Sequence, residues 1–129
     1  MKPLILVVDD EPDIEPLFRQ RFRQDLRAGR FTMDFAAGAE RALEIVADAA
    51  SASLILVLSD INMPGMNGLD LLPRVKAARP QVPVIMISAY GDGDTQRRAL
   101  AGGAEALLSK PIDFEVLRRR IDGHLQAGA

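Results

Sequence analysis

The sequence predicts a doubly wound α/β fold: a five-stranded parallel sheet in the order 2-1-3-4-5, with helices on both faces. Three observations predict it. Short apolar runs each end in polar residues: Leu4 to Val8 in Asp9-Asp10-Glu11, Leu54 to Leu58 in Ser59-Asp60, and Val84 to Ile87 in Ser88. A fourth, Ala106-Leu107-Leu108-Ser109, leads to Lys110-Pro111. Runs of this length, rich in Val and Ile, read as strands buried on both faces, and polar groups at carboxyl ends lie where open α/β sheets keep their sites. Stretches of helical periodicity separate the strands, so five βα units with short connections imply parallel pairing. In the second strand Phe31, Met33 and Phe35 alternate with Thr32 and Asp34, the mark of a half-wetted strand at a sheet edge.

Each element follows from its own pattern. After Asp13, the apolar positions Ile14, Leu17, Phe18, Phe22 and Leu26 fall three or four apart, one face of a first helix that Gly29 stops. Gly38 opens a second helix through about Asp48, and Ser51 to Ser53 break it before the third strand. Met63-Pro64-Gly65-Met66-Asn67-Gly68 is a turn-rich loop, and Leu69, Leu72, Val75 and Lys76 carry the next helix until Pro80. Pro83 leads into the fourth strand, Tyr90-Gly91-Asp92-Gly93 is a loop, and a short helix ends at Gly102-Gly103. The fifth strand covers about Glu105 to Ser109, and Phe114, Leu117, Ile121 and Leu125 stripe the last helix.

Composition narrows the function classes. The chain has 129 residues, 48% apolar and 26% charged, which suits one globular domain over residues 1–129. A net charge of −2 gives no bulk electrostatic reason for nucleic-acid binding, and the one dense basic run, Arg118 to Arg120, reads as a solvated helix face. With no cysteine, disulfides, thiolate zinc sites and cysteine nucleophiles are excluded. The amino terminus turns acidic too soon for a secretory signal, and no apolar stretch approaches the roughly 20 residues that span a bilayer. A soluble, cytoplasmic protein is expected.

In the order 2-1-3-4-5 the first and third strands are neighbours, about 4.8 Å apart, so Asp9, Asp10 and Asp60 converge on one crevice. Three carboxylates so close repel one another until one takes a proton or a cation neutralises them. No His or Cys is on offer there, and the lone His124 belongs to the last helix as a surface residue, so a hard divalent ion, Mg²⁺ by preference, fits. Beside such an ion a carboxylate oxygen can attack phosphorus, and the Lys110 ammonium can meet charge on the phosphoryl oxygens. A Ser88 hydroxyl that moves inward to a phosphoryl oxygen would report its presence mechanically.

Four segments then carry a resemblance. Val7-Val8-Asp9-Asp10-Glu11-Pro12, Ser59-Asp60-Ile61-Asn62-Met63-Pro64-Gly65-Met66-Asn67-Gly68, Ile87-Ser88-Ala89-Tyr90 and Ser109-Lys110-Pro111 stand in the order and context of the receiver domain of bacterial two-component response regulators. The chain resembles that flavodoxin-like domain over essentially its whole length. The resemblance implies that Asp60 is the phosphoacceptor and that a phosphohistidine on a sensor histidine kinase or a histidine phosphotransfer protein is the donor. It implies that Asp10, Asp60 and the backbone carbonyl of Asn62 hold Mg²⁺, with Asp9 acting through a water, and that Ser88 is the switch hydroxyl and Lys110 the phosphate-binding cation. It further implies a cis bond before Pro111. Such a domain signals rather than turning over a substrate, assisting only its own phosphorylation and dephosphorylation.

Asn62 and Tyr90 border the site by the same resemblance, and Tyr90 is expected to shield the phosphoryl group partly. The output surface is expected on the fourth helix, fifth strand and last helix, where Arg97, Arg98 and Arg118 to Arg120 would meet an output partner or a second copy in a homodimer. One position departs from the family pattern: Leu107 stands three residues before the lysine, where receivers commonly carry Tyr or Phe, so switching is expected to rest on Ser88 and loop movement. Two other readings stay open, a Mg²⁺-dependent phosphatase that forms an aspartyl phosphate and a degenerate receiver that serves only as an interaction module. Phosphatases of the haloacid-dehalogenase type place Asp-x-Asp after the first strand, unlike Asp9-Asp10 with a separate Asp60. A flavin-binding module would need a neutral phosphate loop where this chain has three acids.

Overall fold

The computed structural model describes residues 2–48, 53–89 and 93–127. Its elements are β1 (Leu4–Val8), α1 (Ile14–Arg21), α2 (Arg23–Arg27), β2 (Thr32–Ala36), α3 (Ala39–Ala47), β3 (Leu54–Asp60), α4 (Gly68–Ala78), β4 (Val84–Ser88), α5 (Gly93–Ala101), β5 (Ala106–Ser109) and α6 (Phe114–Ala127). The strands form one sheet in the order β2-β1-β3-β4-β5, every pair parallel. The expected fold class and the edge position of β2 both hold: Thr32 is exposed while Met33 and Ala36 are buried.

Alternate side chains of the central strands feed two cores, as the two-residue period of a strand requires. On one face Leu6, Val8, Val57, Val84 and Met86 pack under Ala42, Ile45 and Val46 of α3, Leu71, Leu72 and Val75 of α4, and Ala99 of α5. On the other, Ile5, Val7, Leu56, Leu58, Ile85 and Ile87 meet Ile14 and Phe18 of α1, Phe22, and Leu117 and Ile121 of α6. The second core is aromatic. Phe18, Phe22, Phe31 and Phe114 are linked by ring contacts of 5.4–6.0 Å between centroids, mostly edge to face, the geometry that adds about 0.5–1.5 kcal/mol per pair beyond area burial.

The first helix departs from expectation. It is two helices, α1 and α2, divided at Phe22, whose φ of −108° and ψ of 21° leave the helical well. Hydrogen bonding continues across the break, from the Phe22 N–H to Phe18 and from the Leu26 N–H to Phe22. The turn therefore redirects the chain while driving the Phe22 ring, 1% exposed, into the aromatic core. Gly29, at a φ of +71°, then ends α2 in the left-handed conformation that favours glycine.

α4 begins at a true cap. The Asn67 side chain accepts the Asp70 N–H at 2.9 Å, an arrangement worth about 1 kcal/mol. Pro73 stands inside this helix on its exposed side and removes one intrahelical hydrogen bond, so α4 is held mainly by the burial of Leu71, Leu72 and Val75. Among the described residues no helix is long and apolar enough to cross a membrane.

Candidate functional site

Strand register brings the acids together. Val8 pairs with Ser59, so the residues just beyond them, Asp9 and Asp60, leave adjacent strands side by side. The Asp9 N–H still donates to Ala36 at the end of β2, at 3.0 Å, which extends the ladder by one residue. The Asp9 carboxylate then accepts the Glu11 N–H at 2.9 Å and turns the chain toward α1. Asp60 is tied on its other side: the Ile61 N–H donates to Ile87 of β4 at 3.0 Å, and the Asn62 N–H donates to the Asp60 carboxylate at 3.3 Å.

Oxygens of Asp9, Asp10 and Asp60 lie within 4.8 Å of one another. Asp60 is buried, Asp9 half-buried and Asp10 exposed, so the cluster has a closed floor and an open rim. Lys110, leaving β5, reaches in. Its Nζ donates to Asp60 Oδ2 at 3.1 Å and stands 3.8 Å from Asp9 Oδ2 and 3.6 Å from Glu11 Oε1. Three carboxylates therefore share one ammonium, and Asp10 lies beside them without contacting it.

The electrostatics register that imbalance. Burial pushes the Asp9 carboxyl above its ordinary value, and the neighbouring Asp60 and Glu11 charges push the same way, against the Glu11 N–H and Lys110. For Lys110, burial alone would lower the ammonium. The hydrogen bond to Asp60 and the surrounding acids outweigh it and hold the pKa above the usual lysine range.

Ser88 closes β4, 1% exposed, one residue beyond the register partner of Asp60, and its carbonyl accepts the Lys110 N–H at 2.9 Å. Asn62 is exposed. The Lys110–Pro111 peptide is cis, as the resemblance implied. Tyr90 lies outside the described residues. Leu107, the register partner of Met86, is half-buried against the α3/α4/α5 core.

Two further neighbours are not singled out by the sequence pattern. Glu11 touches Lys110, which its adjacency to Asp9 and Asp10 hinted at. Gly68 is buried with its backbone against the Asp60 peptide, a closeness that only the folded chain displays.

The basic run also reads differently in three dimensions. Arg118 is partly exposed but engaged on three sides. It pairs with the buried Asp25, donates to the Arg21 carbonyl at 3.0 Å and lies over the Phe22 ring. Arg120 and His124 both meet Glu105, His124 at 2.8 Å, so this histidine is a paired residue on α6 remote from the acids. The spacing of the run predicts a helix face correctly but cannot reveal partners 15 to 97 residues away. Arg97, Arg98 and Arg119 are exposed.

The oxygen-only donor set, in a chain without cysteine and with its lone histidine engaged elsewhere, fits a hard divalent cation such as Mg²⁺.

Comparison with known proteins points the same way. The family model for the response regulator receiver domain matches residues 5–122. Response regulator protein PilR of Pseudomonas aeruginosa is 38% identical over 118 residues, which cover 90% of this chain and 24% of PilR. Sporulation initiation phosphotransferase F of Bacillus subtilis is 33% identical over 125 residues, 97% of this chain and 95% of that protein. The chain thus spans about a quarter of the length of PilR and nearly all of the phosphotransferase. A crystal structure of a CheY-like response regulator receiver domain protein from Methanospirillum hungatei superposes with a TM-score of 0.85 at 27% identity, covering 98% of this chain and 96% of the other. A five-stranded sheet in the receiver order, its acids and lysine gathered at the carboxyl ends, and a family match over nearly the whole sequence lead to one conclusion: this chain belongs to the response regulator receiver domain family of two-component signalling.

Proposed function

We propose that Asp60 is the phosphoacceptor of this receiver, that Asp9, Asp10, Asp60 and the Asn62 carbonyl hold Mg²⁺, and that Lys110 and Ser88 receive the phosphoryl oxygens. The single observation that carries this reading is the convergence of three carboxylates within 4.8 Å with the Lys110 ammonium 3.1 Å from Asp60. Members of the family take phosphoryl groups from histidine kinases or phosphotransfer proteins and hold Mg²⁺ at an acidic pocket. The donor here is accordingly a phosphohistidine. Residues 1–129 form one receiver unit working in the cytoplasm, and its output leaves through α5, β5 and α6 toward a partner or a second copy.

In the transfer an Asp60 carboxylate oxygen forms a bond to phosphorus while the bond from phosphorus to the donor nitrogen breaks. The imidazole leaves with the electron pair and takes up a proton from solvent. Mg²⁺, when bound, neutralises charge on the acids and on the phosphoryl oxygens. Lys110 already faces Asp60 Oδ2, so its charge is placed before the phosphoryl group arrives and little reorganisation is needed. Asn62 orients the carboxylate by donating its N–H to Oδ1. Ser88 supplies a hydroxyl from the adjacent strand, and its movement toward a phosphoryl oxygen transmits occupancy into β4 and the loop that follows.

An intact-mass spectrum after incubation with acetyl phosphate tests the reading. A single phosphoryl adduct is expected that requires Mg²⁺ and disappears in Asp60→Asn. An adduct that survives this substitution would place the acceptor elsewhere. No adduct in the parent would leave an interaction module with a receiver fold.

A further inference from the structure

The structure assigns Gly68 as a positioning residue for Asp60: the absence of a side chain there lets the first turn of α4 rest directly on the Asp60–Ile61 peptide and so fixes where the carboxylate points. The assignment rests on the reading of Asp60 as phosphoacceptor. A Cβ built on Gly68 would lie 2.4 Å from the Asp60 carbonyl oxygen, 2.9 Å from Ile61 Cα and 2.6 Å from Met86 Cε. Contacts under 3.0 Å require something to move. The Met86 methyl could swing aside, but the other two are backbone atoms and have no rotamer to change.

That peptide is held from other directions as well. The Ile61 N–H donates to Ile87 at 3.0 Å, Ser59 Oγ donates to the Asp60 carbonyl at 3.0 Å, and the loop closes through the Gly68 N–H donating to Ile61 at 2.8 Å. A helix pushed back at Gly68 therefore loses the loop-closing bond, which frees the Ile61–Asn62 segment that orients the carboxylate, or twists the Asp60 peptide, which turns the carboxylate away from Asn62 and Lys110. Catalytic geometry is steep: a misplacement of about 1 Å can cost on the order of 10²-fold in rate. Gly38 and Gly123 have open space where a Cβ would stand, and at Gly102 a Cβ would meet the flexible end of Leu72 at 2.9 Å and the Arg98 carbonyl oxygen of α5 at 3.3 Å. Gly68 is the position where the crowding falls on the phosphoacceptor backbone. The Asn67 cap, whose side chain accepts the Asp70 N–H, holds the same first turn from the adjoining residue.

The test compares initial rates of Mg²⁺-dependent phosphorylation by acetyl phosphate in the parent, Gly68→Ala, Asn67→Ala and Gly102→Ala. Amide exchange at Ile61 and Asn62 in the metal-free proteins provides a readout independent of the reaction. Gly102→Ala makes the same chemical change and crowds the same helix through Leu72, away from Asp60. We expect Gly68→Ala to slow phosphorylation about tenfold or more and Asn67→Ala about threefold, both with faster exchange, and Gly102→Ala to stay within about twofold of the parent. A folded Gly68→Ala that matches Gly102→Ala in rate and exchange overturns the assignment. If Gly68→Ala does not fold, Asn67→Ala decides, and parental rate and exchange in that variant overturn it equally. A parent that takes no phosphoryl group at Asp60 overturns the functional reading and this assignment with it, whereas a phosphorylated parent with an indifferent Gly68→Ala overturns the assignment alone.

Discussion

Asp25 and Asp60 are the two aspartates buried in the described structure, at 6% and 4% exposure, and their surroundings are opposites. Asp25 sits between Arg30 and Arg118, and Arg30 reaches on to Asp122 at 2.7 Å, so two carboxylates meet two guanidiniums. Asp60 shares its crevice with Asp9, Asp10 and Glu11 and has one ammonium, Lys110. Burial by itself would raise the Asp25 carboxyl, but hydrogen bonds from Arg118 and Arg30 overcome it and hold the pKa below its ordinary value. At Asp9, burial and like charge prevail and the shift is upward. A balanced cluster is complete and serves to pin α2 to α6. An unbalanced one keeps an unmet demand for positive charge, which is what a site for a divalent cation and a phosphoryl group requires.

The comparison breaks most completely at its two aspartates. Asp60→Asn is expected to abolish acetyl phosphate labelling, a loss of more than about 100-fold, because the amide offers no nucleophilic carboxylate. Its fold should survive or gain stability as repulsion in the crevice falls. The same acid-to-amide change at Asp25 should leave labelling within about twofold. Mass spectrometry and a denaturant melt on the two variants would show whether chemistry and stability separate in this way.

Next in size is the response to Mg²⁺. A ligand at 100 times its dissociation constant stabilises the folded state by about 2.7 kcal/mol, and that gain should appear in the parent and in Asp25→Ala alike but shrink in Asp10→Asn and Asp60→Asn. Protons compete with the metal at Asp9, whose raised pKa means that the gain weakens as pH falls through that value. Thermal melts across a pH series with and without Mg²⁺ measure this. A gain independent of pH would remove Asp9 from the ligand set.

Asp25→Ala should cost about 2 kcal/mol. Leaving a buried charged partner alone typically costs about 3–5 kcal/mol, but Arg30 and Arg118 are 41% and 37% exposed and water screens what remains. The sign with pH is fixed by the direction of the shift. Because the folded pKa lies below 3.8, the stabilisation is complete above that value and is lost as pH falls through the folded pKa. Parent and variant stabilities should therefore run parallel at neutral pH and converge only in acid below 3.8. Convergence near neutrality would mean that another group carries the difference.

The contrast also explains what the sequence could disclose. Polar residues at the ends of β1, β3, β4 and β5 were legible because strand period and parallel pairing force them to one edge, and β2 was legible from its alternation. Asp25 was not. It lies within a helix-like stretch where a solvated aspartate looks the same, and Arg118 is 93 positions away. The break at Phe22 was hidden because both helices keep one periodicity across it. Gly68 looked like a turn residue, since the closeness of its backbone to Asp60 depends on the packing of α4 against β3 and β4.

The smallest expected effect lies outside both clusters, at Leu107. It stands three residues before Lys110, where an aromatic ring would make response at the acidic site depend on packing. Instead a half-buried leucine rests against the α3/α4/α5 core. Leu107→Ala removes part of that contact and should cost about 1 kcal/mol, below the roughly 2–5 kcal/mol of a fully buried leucine because part of the side chain already meets water. If response passes through Ser88 and the following loop, phosphorylation and its lifetime should stay within about twofold, and the change in amide exchange between free and phosphorylated protein should keep its pattern in β4. Loss of that pattern at unchanged folding would mean that leucine serves in place of the ring, and that the unbalanced site signals through packing as well as through charge.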